Sequence, residues 1–200
     1  MSNTTAREAA GKAAFRRALA FTLRDDIEGG WYDGSGSHDP NPTMRGVTQR
    51  TYDAWRVSFG LPKQTVRNIR QDEIEGIYLR DYWTAAGCHL LAGGCVTAVA
   101  AAAHFEAAVN CGVGTAVRLL QRAVRVDADG IIGPITRAAV SCFLSFPDGD
   151  EELAEALLWE RLRYYRDLAR QPRLRPNLLA WTDRIVKFKQ VFIDGGGPEV

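Results

Sequence analysis

The stretch Val96–Asn110, VTAVAAAAHFEAAVN, decides the fold because it is almost wholly apolar over about four helical turns. A helix that is apolar on every side has to be buried on every side. Gly112 follows, and glycine is typical of the position just past a helix end. We therefore predict a helix from Cys95 to Asn110 that forms the centre of a helical bundle.

Three polar residues interrupt the second half of this helix. A carboxylate such as that of Glu106 on an apolar helix must be paired or must face a cleft. One interpretation is a structural ion pair with an arginine. The other is a cleft wall, which we favour because Asn110 lies one turn further on along the same face. We predict that His104 is a hydrogen-bonded core residue and not a catalyst.

Helical periodicity continues on both sides of the central helix. Apolar residues recur at helical spacing, with cap residues before them and glycine or proline after them. The predicted helices run from Thr4 or Thr5 to Glu28, from Thr48 to about Phe59, over 71–83, over 115–125, from Pro134 to before Pro147, over 150–170, and from about Leu178 to Phe192. Strand patterns are nearly absent, so we predict a mainly α fold, a helical bundle.

Composition indicates an ordinary globular protein. The chain has 200 residues, of which 46% are hydrophobic and 24% are charged, and its net charge is +1. This balance argues against a nucleic-acid binder, which would carry a basic face. No run approaches the roughly 18 apolar residues of a membrane span. Residues 1–12 lack the apolar core of a secretory signal, so we expect neither membrane insertion nor a signal peptide.

The cysteines and histidines show no metal-binding spacing. None of Cys88, Cys95, Cys111 and Cys142 forms a C-x-x-C pair, and the histidines do not complete a zinc-finger pattern. We expect buried thiols, with a Cys88–Cys95 disulfide as the alternative, and no metal.

The stretch Asp26–Tyr32, DIEGGWY, is the strongest candidate for chemistry. We predict that Glu28 ends the first helix, because Gly29 and Gly30 follow it. The segment from Gly29 to Val47 is too polar and too rich in glycine and proline for a helix, and we expect an irregular loop that contains at most a short hairpin. A fixed carboxylate facing such a loop suits acid-assisted cleavage of a glycosidic bond. The alternative is an ordinary solvated glutamate.

Four segments, in order along the chain, resemble the motifs of one family. The first is Leu23–Val47, with Glu-Gly-Gly before an aromatic residue and later Thr-Met-Arg-Gly-Val. The second is IYLRDYW at 77–83, similar to I-Y-x-x-D-Y-W, and the third is FEAAVNCG at 105–112, similar to F-D-x-A-V-N-x-G. The fourth is LLQRA at 119–123 with DGIIGPIT at 129–136, similar to a small peptidoglycan-binding segment. Together they resemble glycoside hydrolase family 108, a branch of the lysozyme superfamily that includes phage endolysins and bacterial muramidases.

The resemblance implies a lysozyme-like fold with Glu28 as the catalytic general acid. That carboxyl must hold its proton until it reaches the glycosidic oxygen, and burial against Trp31 or Tyr32 would favour this, helped by the like charges of Asp25 and Asp26.

Further residues of the cleft are also implied. Thr43, Glu106 and Asn110 are expected to line it, and Asp39 or Asp33 is expected to hold the attacking water or stabilise positive charge. The sequence departs from the family pattern in the spacing of these aspartates and in having Glu106 where aspartate is usual.

The resemblance further implies an N-acetylmuramidase that cleaves the β-1,4 bond between N-acetylmuramic acid and N-acetylglucosamine without a cofactor. We expect one lysozyme-like domain over residues 1–200, with a catalytic part over about 13–112 and a peptidoglycan-binding-like helical part over about 113–194. Its partners would be bacterial peptidoglycan and a holin or other export partner, with the protein a monomer made in the cytoplasm that acts on the cell wall. The alternatives are a lytic transglycosylase, and a non-catalytic peptidoglycan-binding or phage structural protein.

Overall fold

The computed structural model describes residues 3–30, 42–92 and 98–195. Within these ranges the α-helices are α1 (Asn3–Thr22), α2 (Gln49–Ser58), α3 (Gln71–Tyr78), α4 (Cys88–Leu91), α5 (Val99–Cys111), α6 (Val113–Ala123), α7 (Pro134–Phe143), α8 (Gly149–Leu168) and α9 (Leu178–Phe192). A π-helical turn, Leu79–Thr84, continues α3, and the strands β1 (Thr43–Met44) and β2 (Val47–Thr48) form a hairpin. The predicted mainly α fold is confirmed.

The chain divides into two compact units. The central-helix unit comprises Met1–Ala18 and Tyr82–Val200, and the Glu28 unit comprises Leu19–Asp81. The first contains α4 to α9 and most of α1, whereas the second contains the hairpin, α2 and α3. The division expected from the sequence, at about residue 113, is a different one and stays a prediction.

Helix α5 is the buried centre of its unit, as its sequence predicts. No side chain from Ala98 to Ala108 is more than 2% exposed. The helix packs against α4, α6 and α8. At its middle, the Phe105 ring lies 6.0 Å from that of Phe15 and 5.7 Å from that of Trp83, measured between centroids. Although α5 is apolar, none of the described helices is both long and apolar enough to cross a membrane.

A carboxylate from α8 satisfies the start of α5. The backbone N–H groups of Val99 and Ala100 donate to Asp150 over 2.8 and 3.0 Å. The first N–H groups of a helix have no partner within the helix, and the positive end of its dipole favours an anion. Asp150 therefore fixes the beginning of α8 against the beginning of α5.

His104 is a core residue, and its prediction as such is confirmed. Its side chain is fully buried, and Nε2 lies 2.8 Å from the carbonyl oxygen of Ala86. Burial lowers the pKa of His104 from 6.5 to about 4. The ring is therefore neutral at pH 7, with Nε2–H donating to the carbonyl.

The segment LLQRA…DGIIGPIT folds as one hydrogen-bonded loop around Gln121. The Gln121 amide donates to Asp129 over 2.6 Å and to the carbonyl of Ile131 over 3.0 Å, and it accepts from the N–H of Gly130 over 2.8 Å. Pro134 then occupies the first turn of α7, as predicted. The spacing of this motif thus has a structural cause, because a buried amide organises the turn between α6 and α7.

Candidate active site

The first helix ends earlier than its sequence predicts. We expected it to reach Glu28, but α1 ends at Thr22, and Leu23–Glu28 forms a series of turns. Asp25 and Asp26 explain the difference, because aspartate is a weak helix former and its charge opposes the negative end of the helix dipole. Asp26 instead pairs with Arg24, with Nε and Oδ1 separated by 3.0 Å.

Glu28 is held by a closed turn and not by a helix end. Its backbone N–H donates to the carbonyl of Thr22 over 3.0 Å, which returns the chain to the last residue of α1. In the same turn, the backbone N–H groups of Ile27 and Gly29 both donate to the carbonyl of Arg24, over 2.9 and 2.7 Å. Glu28 is half-buried. The carboxylate therefore projects from a backbone fixed on both sides.

Position 29 requires glycine because the backbone of Leu23 and Arg24 passes close to it. A Cβ atom at this position would overlap the carbonyl oxygen of Leu23 and lie 2.6 Å from the carbonyl carbon of Arg24. Backbone atoms cannot yield as a flexible side chain can, so any larger residue would open the turn. The first glycine of the Glu-Gly-Gly motif thus permits the turn that positions Glu28.

The loop that follows contains the short hairpin that the sequence suggested. Thr43 pairs with Thr48, and Met44 pairs with Val47, in antiparallel register. The two residues between the strands have φ angles of 51° for Arg45 and 73° for Gly46. Positive φ at both central residues is the signature of a type I′ turn, whose twist matches that of a hairpin.

This hairpin lies against Glu28. The Arg45 N–H donates to the carbonyl of Gly30 over 3.0 Å, and the Tyr78 hydroxyl donates to the carbonyl of Arg45 over 3.1 Å. A Cβ atom at Gly46 would overlap the Tyr78 hydroxyl and lie 3.1 Å from Glu28 Cβ and 3.2 Å from Oε2. Gly46 is therefore the surface against which the Glu28 side chain packs, and α3 supplies the support behind it.

A buried ion pair fixes α3 to α2. The Glu73 carboxylate accepts from Arg56 Nη1 over 2.7 Å, from the Tyr52 hydroxyl over 2.7 Å and from the Arg70 N–H over 3.0 Å. Burial alone would raise the pKa of Glu73, but these hydrogen bonds and the arginine charges lower it below its ordinary value. Glu73 is thus charged at neutral pH, and its role is to hold the helix that carries Tyr78.

Sequence reasoning missed the part played by Tyr78 and Gly46. Both lie in segments that carry the family resemblance, Thr43–Val47 and 77–83. The spacing within each segment could have drawn attention to them. Their meeting could not be predicted, because it depends on two backbone turns that bring distant segments together.

Glu106 requires a correction. We expected its carboxylate at a cleft wall, but the side chain is 0% exposed. Arg184 donates to it through Nε over 2.7 Å and through Nη2 over 2.8 Å, and Arg161 Nη2 lies 3.4 Å from Oε2. The ion-pair interpretation is confirmed and the cleft interpretation is wrong, because two arginines from α8 and α9 enclose the carboxylate inside the central-helix unit.

Asn110 belongs to the same buried network. Its Oδ1 accepts a hydrogen bond from the Tyr165 hydroxyl, which itself accepts from Arg161 Nε over 2.6 Å. Burial raises the pKa of Tyr165 well above its ordinary value, so the hydroxyl remains protonated and can donate. The Asn110 side chain is half-buried, and its contact with substrate stays a prediction.

The remaining predicted site residues have different outcomes. Thr43 lies on the hairpin whose turn contacts Glu28, so the structure brings these two segments together within one unit. Asp39, Asp33, Trp31 and Tyr32 lie outside the described residues. Their expected roles beside Glu28 stay predictions.

We expect Gly46→Ala to reduce activity at least tenfold. The methyl group would displace Tyr78 or Glu28, and the left-handed backbone would add about 1–2 kcal/mol of strain. Gly60→Ala is the matched control, because Gly60 has a similar φ of 67° but nothing lies within 4 Å of its Cβ position. Release of dye from labelled cell wall and thermal unfolding would compare the two. Equal activity losses in both variants would mean that the contact with Glu28 has no role in catalysis.

Comparisons with known proteins find two family profiles in this chain. The profile of the family described as Glycosyl hydrolase 108 matches residues 21–112, which include the turn over residues 22–29 that holds Glu28 (the Glu28 turn), the hairpin and α5. A second profile, described as Predicted Peptidoglycan domain, matches residues 115–194.

Similarity extends to a solved structure, that of Brucella abortus SagA. It is 25% identical to this chain, with a TM-score of 0.70, and the match covers 94% of this chain and 98% of that one. A comparison with curated proteins returns no match. The chain thus matches the glycosyl hydrolase 108 profile over residues 21–112 and the predicted peptidoglycan domain profile over residues 115–194.

Proposed function

We propose that this protein is an N-acetylmuramidase with Glu28 as its general acid. The substrate would be the β-1,4 bond that follows N-acetylmuramic acid in bacterial cell wall, as for an endolysin. The glycosyl hydrolase family and the peptidoglycan domain support hydrolysis of peptidoglycan in general. The observation that carries the finer proposal is the fixed position of Glu28. Gly29 permits its turn and Gly46 packs against its side chain, and a Cβ atom at either glycine would collide with neighbouring atoms.

General-acid catalysis needs a carboxyl group that is held in place and partly shielded from water. Glu28 meets the first requirement through its turn, in which the N–H of Glu28 returns to Thr22. It meets the second through its half-burial against Gly46. Protonation of the glycosidic oxygen by this carboxyl would let the bond break as positive charge develops on the sugar.

The Tyr78 hydroxyl has a positioning role in this proposal. It donates to the carbonyl of Arg45 and thereby fixes the turn that carries Gly46. A displacement of that turn would move the surface behind Glu28, and small misplacements of a catalytic group reduce rate strongly. Tyr78 would thus act through the hairpin and not on the substrate.

The experiment is digestion of purified peptidoglycan followed by mass spectrometry of the fragments. A muramidase adds water across the bond, so the products should end in reducing N-acetylmuramic acid. A lytic transglycosylase uses the substrate's own hydroxyl and yields the 1,6-anhydro end, which is lighter by one water. Predominantly anhydro products would replace the proposal with that rival, and no release of fragments would favour a binding or structural protein.

A further inference from the structure

A depression of about 540 Å³ lies between the end of α6 and the middle of α8, within the central-helix unit. Its walls include Arg122 and Arg125 on one side and Trp159, Glu160 and Arg163 on the other. We call it the Trp159 groove. It shares no residue with the Glu28 turn, and the chemistry proposed above does not use it.

Trp159 is the main apolar feature of this groove. It projects from α8 and is 63% exposed, although tryptophan side chains are mostly covered in folded proteins. On its other side lies a second, smaller depression of about 110 Å³, which also contacts Leu158 and Leu162. The indole is thus a ridge between two hollows. A flat aromatic surface in such a place can cover the apolar face of a sugar ring while its N–H remains available for a hydroxyl.

The groove concentrates positive charge on a protein whose net charge is only +1. Arg163 is paired with Glu160, with a nitrogen–oxygen distance of 2.5 Å. Arg122 and Arg125 are both exposed, and neither forms an ion pair with any residue in the described ranges. These two guanidinium groups are therefore available to anions, and arginine binds carboxylates through two parallel hydrogen bonds.

The backbone at Arg125 provides an independent observation. Helix α6 closes with two hydrogen bonds, from Val126 N–H to the carbonyl of Gln121 over 2.9 Å and from Arg125 N–H to that of Arg122 over 3.1 Å. In this arrangement the residue after the helix end is left-handed, and glycine is usual there. Arg125 occupies the position with a φ of 59°. A strained arginine at a site suited to glycine points to a role for its side chain.

We propose that the Trp159 groove binds a peptidoglycan strand at a second site, with Trp159 against a sugar ring and with Arg122 and Arg125 on carboxylates of the attached peptides. This occupant fits because a peptidoglycan strand is a chain of sugar rings that carries an acidic peptide on every second sugar, which matches an aromatic ridge beside unpaired arginines. The inference rests on the proposed function only in taking cell wall as the substrate. Its purpose would be to retain the enzyme on an insoluble polymer between cleavage events.

The test is co-sedimentation with insoluble peptidoglycan, with every protein carrying Glu28→Gln so that the polymer stays intact. Trp159→Ala and the double variant Arg122→Gln/Arg125→Gln should each weaken binding at least tenfold. The matched controls are Phe146→Ala, which removes a ring that is 61% exposed elsewhere, and Arg16→Gln, which removes an exposed arginine of the same unit. Both controls should bind like the parent protein.

Arg125→Gly separates function from folding. Glycine relieves the left-handed strain, so the melting temperature should equal or exceed that of the parent, while binding to peptidoglycan weakens. A loss of binding in a more stable protein cannot result from unfolding. Peptidoglycan whose peptides have been removed should bind through Trp159 alone, so the arginine variants should then match the parent.

Parent-level binding by folded Trp159→Ala and by the double arginine variant would overturn the inference. So would a dimer in solution that Trp159→Ala dissolves, because the groove would then serve a second copy of the chain. The binding test of the Trp159 groove and the cleavage test of the muramidase proposal can fail independently of each other. If the wild type releases no fragments but the groove variants lose binding, the second site stands and the muramidase proposal fails; if it cleaves and the variants bind normally, the reverse holds.

Discussion

Glu28→Gln is expected to abolish lysis of cell-wall suspensions, with a loss of at least about 10³-fold in the rate of turbidity decrease. The amide has nearly the same shape as the carboxyl but cannot deliver a proton to the glycosidic oxygen. Folding should hardly change, because Glu28 is half-buried and its turn is closed by backbone hydrogen bonds. We expect the free energy of unfolding to stay within about 1 kcal/mol of wild type.

Glu75→Gln is the matched control for this variant. Glu75 belongs to the same unit, is also half-buried and undergoes the same chemical change, but it lies on α3, where its carboxylate accepts from Gln71 over 3.3 Å. Its activity should equal that of wild type. If Glu28→Gln kept activity within tenfold of wild type, Glu28 would lose its assigned role, and another carboxylate would have to be sought.

Glu106→Gln is expected to have the largest effect on stability. The carboxylate lies between Arg161 and Arg184, and Arg161 Nη1 is buried without a hydrogen-bond partner in the described structure. Neutralising Glu106 would leave two buried positive charges without an anion, which typically costs 3–5 kcal/mol. For a protein of this size, that is a fall in melting temperature of roughly 10 °C. Differential scanning calorimetry would measure it.

Glu155→Gln provides the contrast. Glu155 pairs with Lys189 over 3.4 Å on the protein surface, where both side chains are about half exposed, so its loss should cost about 0–1 kcal/mol. A double-mutant cycle that combines Glu106→Gln with Arg184→Met should show strong coupling, because removing both partners costs less than the sum of the single changes. Wild-type stability in Glu106→Gln, with activity reduced, would restore the cleft interpretation.

Local patterns predicted much of the fold. The alanine-rich run predicted α5 because a helix that is apolar on every side has to be buried in the core. Thr48 and Pro134 predicted the starts of α2 and α7 because both residues are favoured at helix N-termini. Each of these signals depends on neighbours within a few residues. The partners of Gln121 lie further away, at 8 to 15 positions, and this loop was indicated by the family resemblance and not by helical periodicity.

Other features depend on contacts that no local pattern records. Arg184 lies 78 positions from Glu106, and among the many arginines of the chain nothing in the sequence marks it as the partner. The early end of α1, by contrast, has a local cause in Asp25 and Asp26, and the turn that follows is closed by the N–H of Glu28 donating to the carbonyl of Thr22. Helical spacing continues through Ile27, so periodicity alone extended the helix too far.

The packing of α5 against α6 and α8 has a consequence for recombination between relatives. The junction between the two family matches, at residues 112–115, falls between helices that share one core. A chimaera joined there would confront the native Glu106 with foreign residues in place of Arg161 and Arg184. Exchange of Leu19–Asp81 would instead transfer the Glu28 turn, the hairpin and the Glu73 ion pair together. Viable hybrids are therefore expected to have crossovers near residues 18 and 82, the first just before the start of the first family match and the second well inside it, and not at its end.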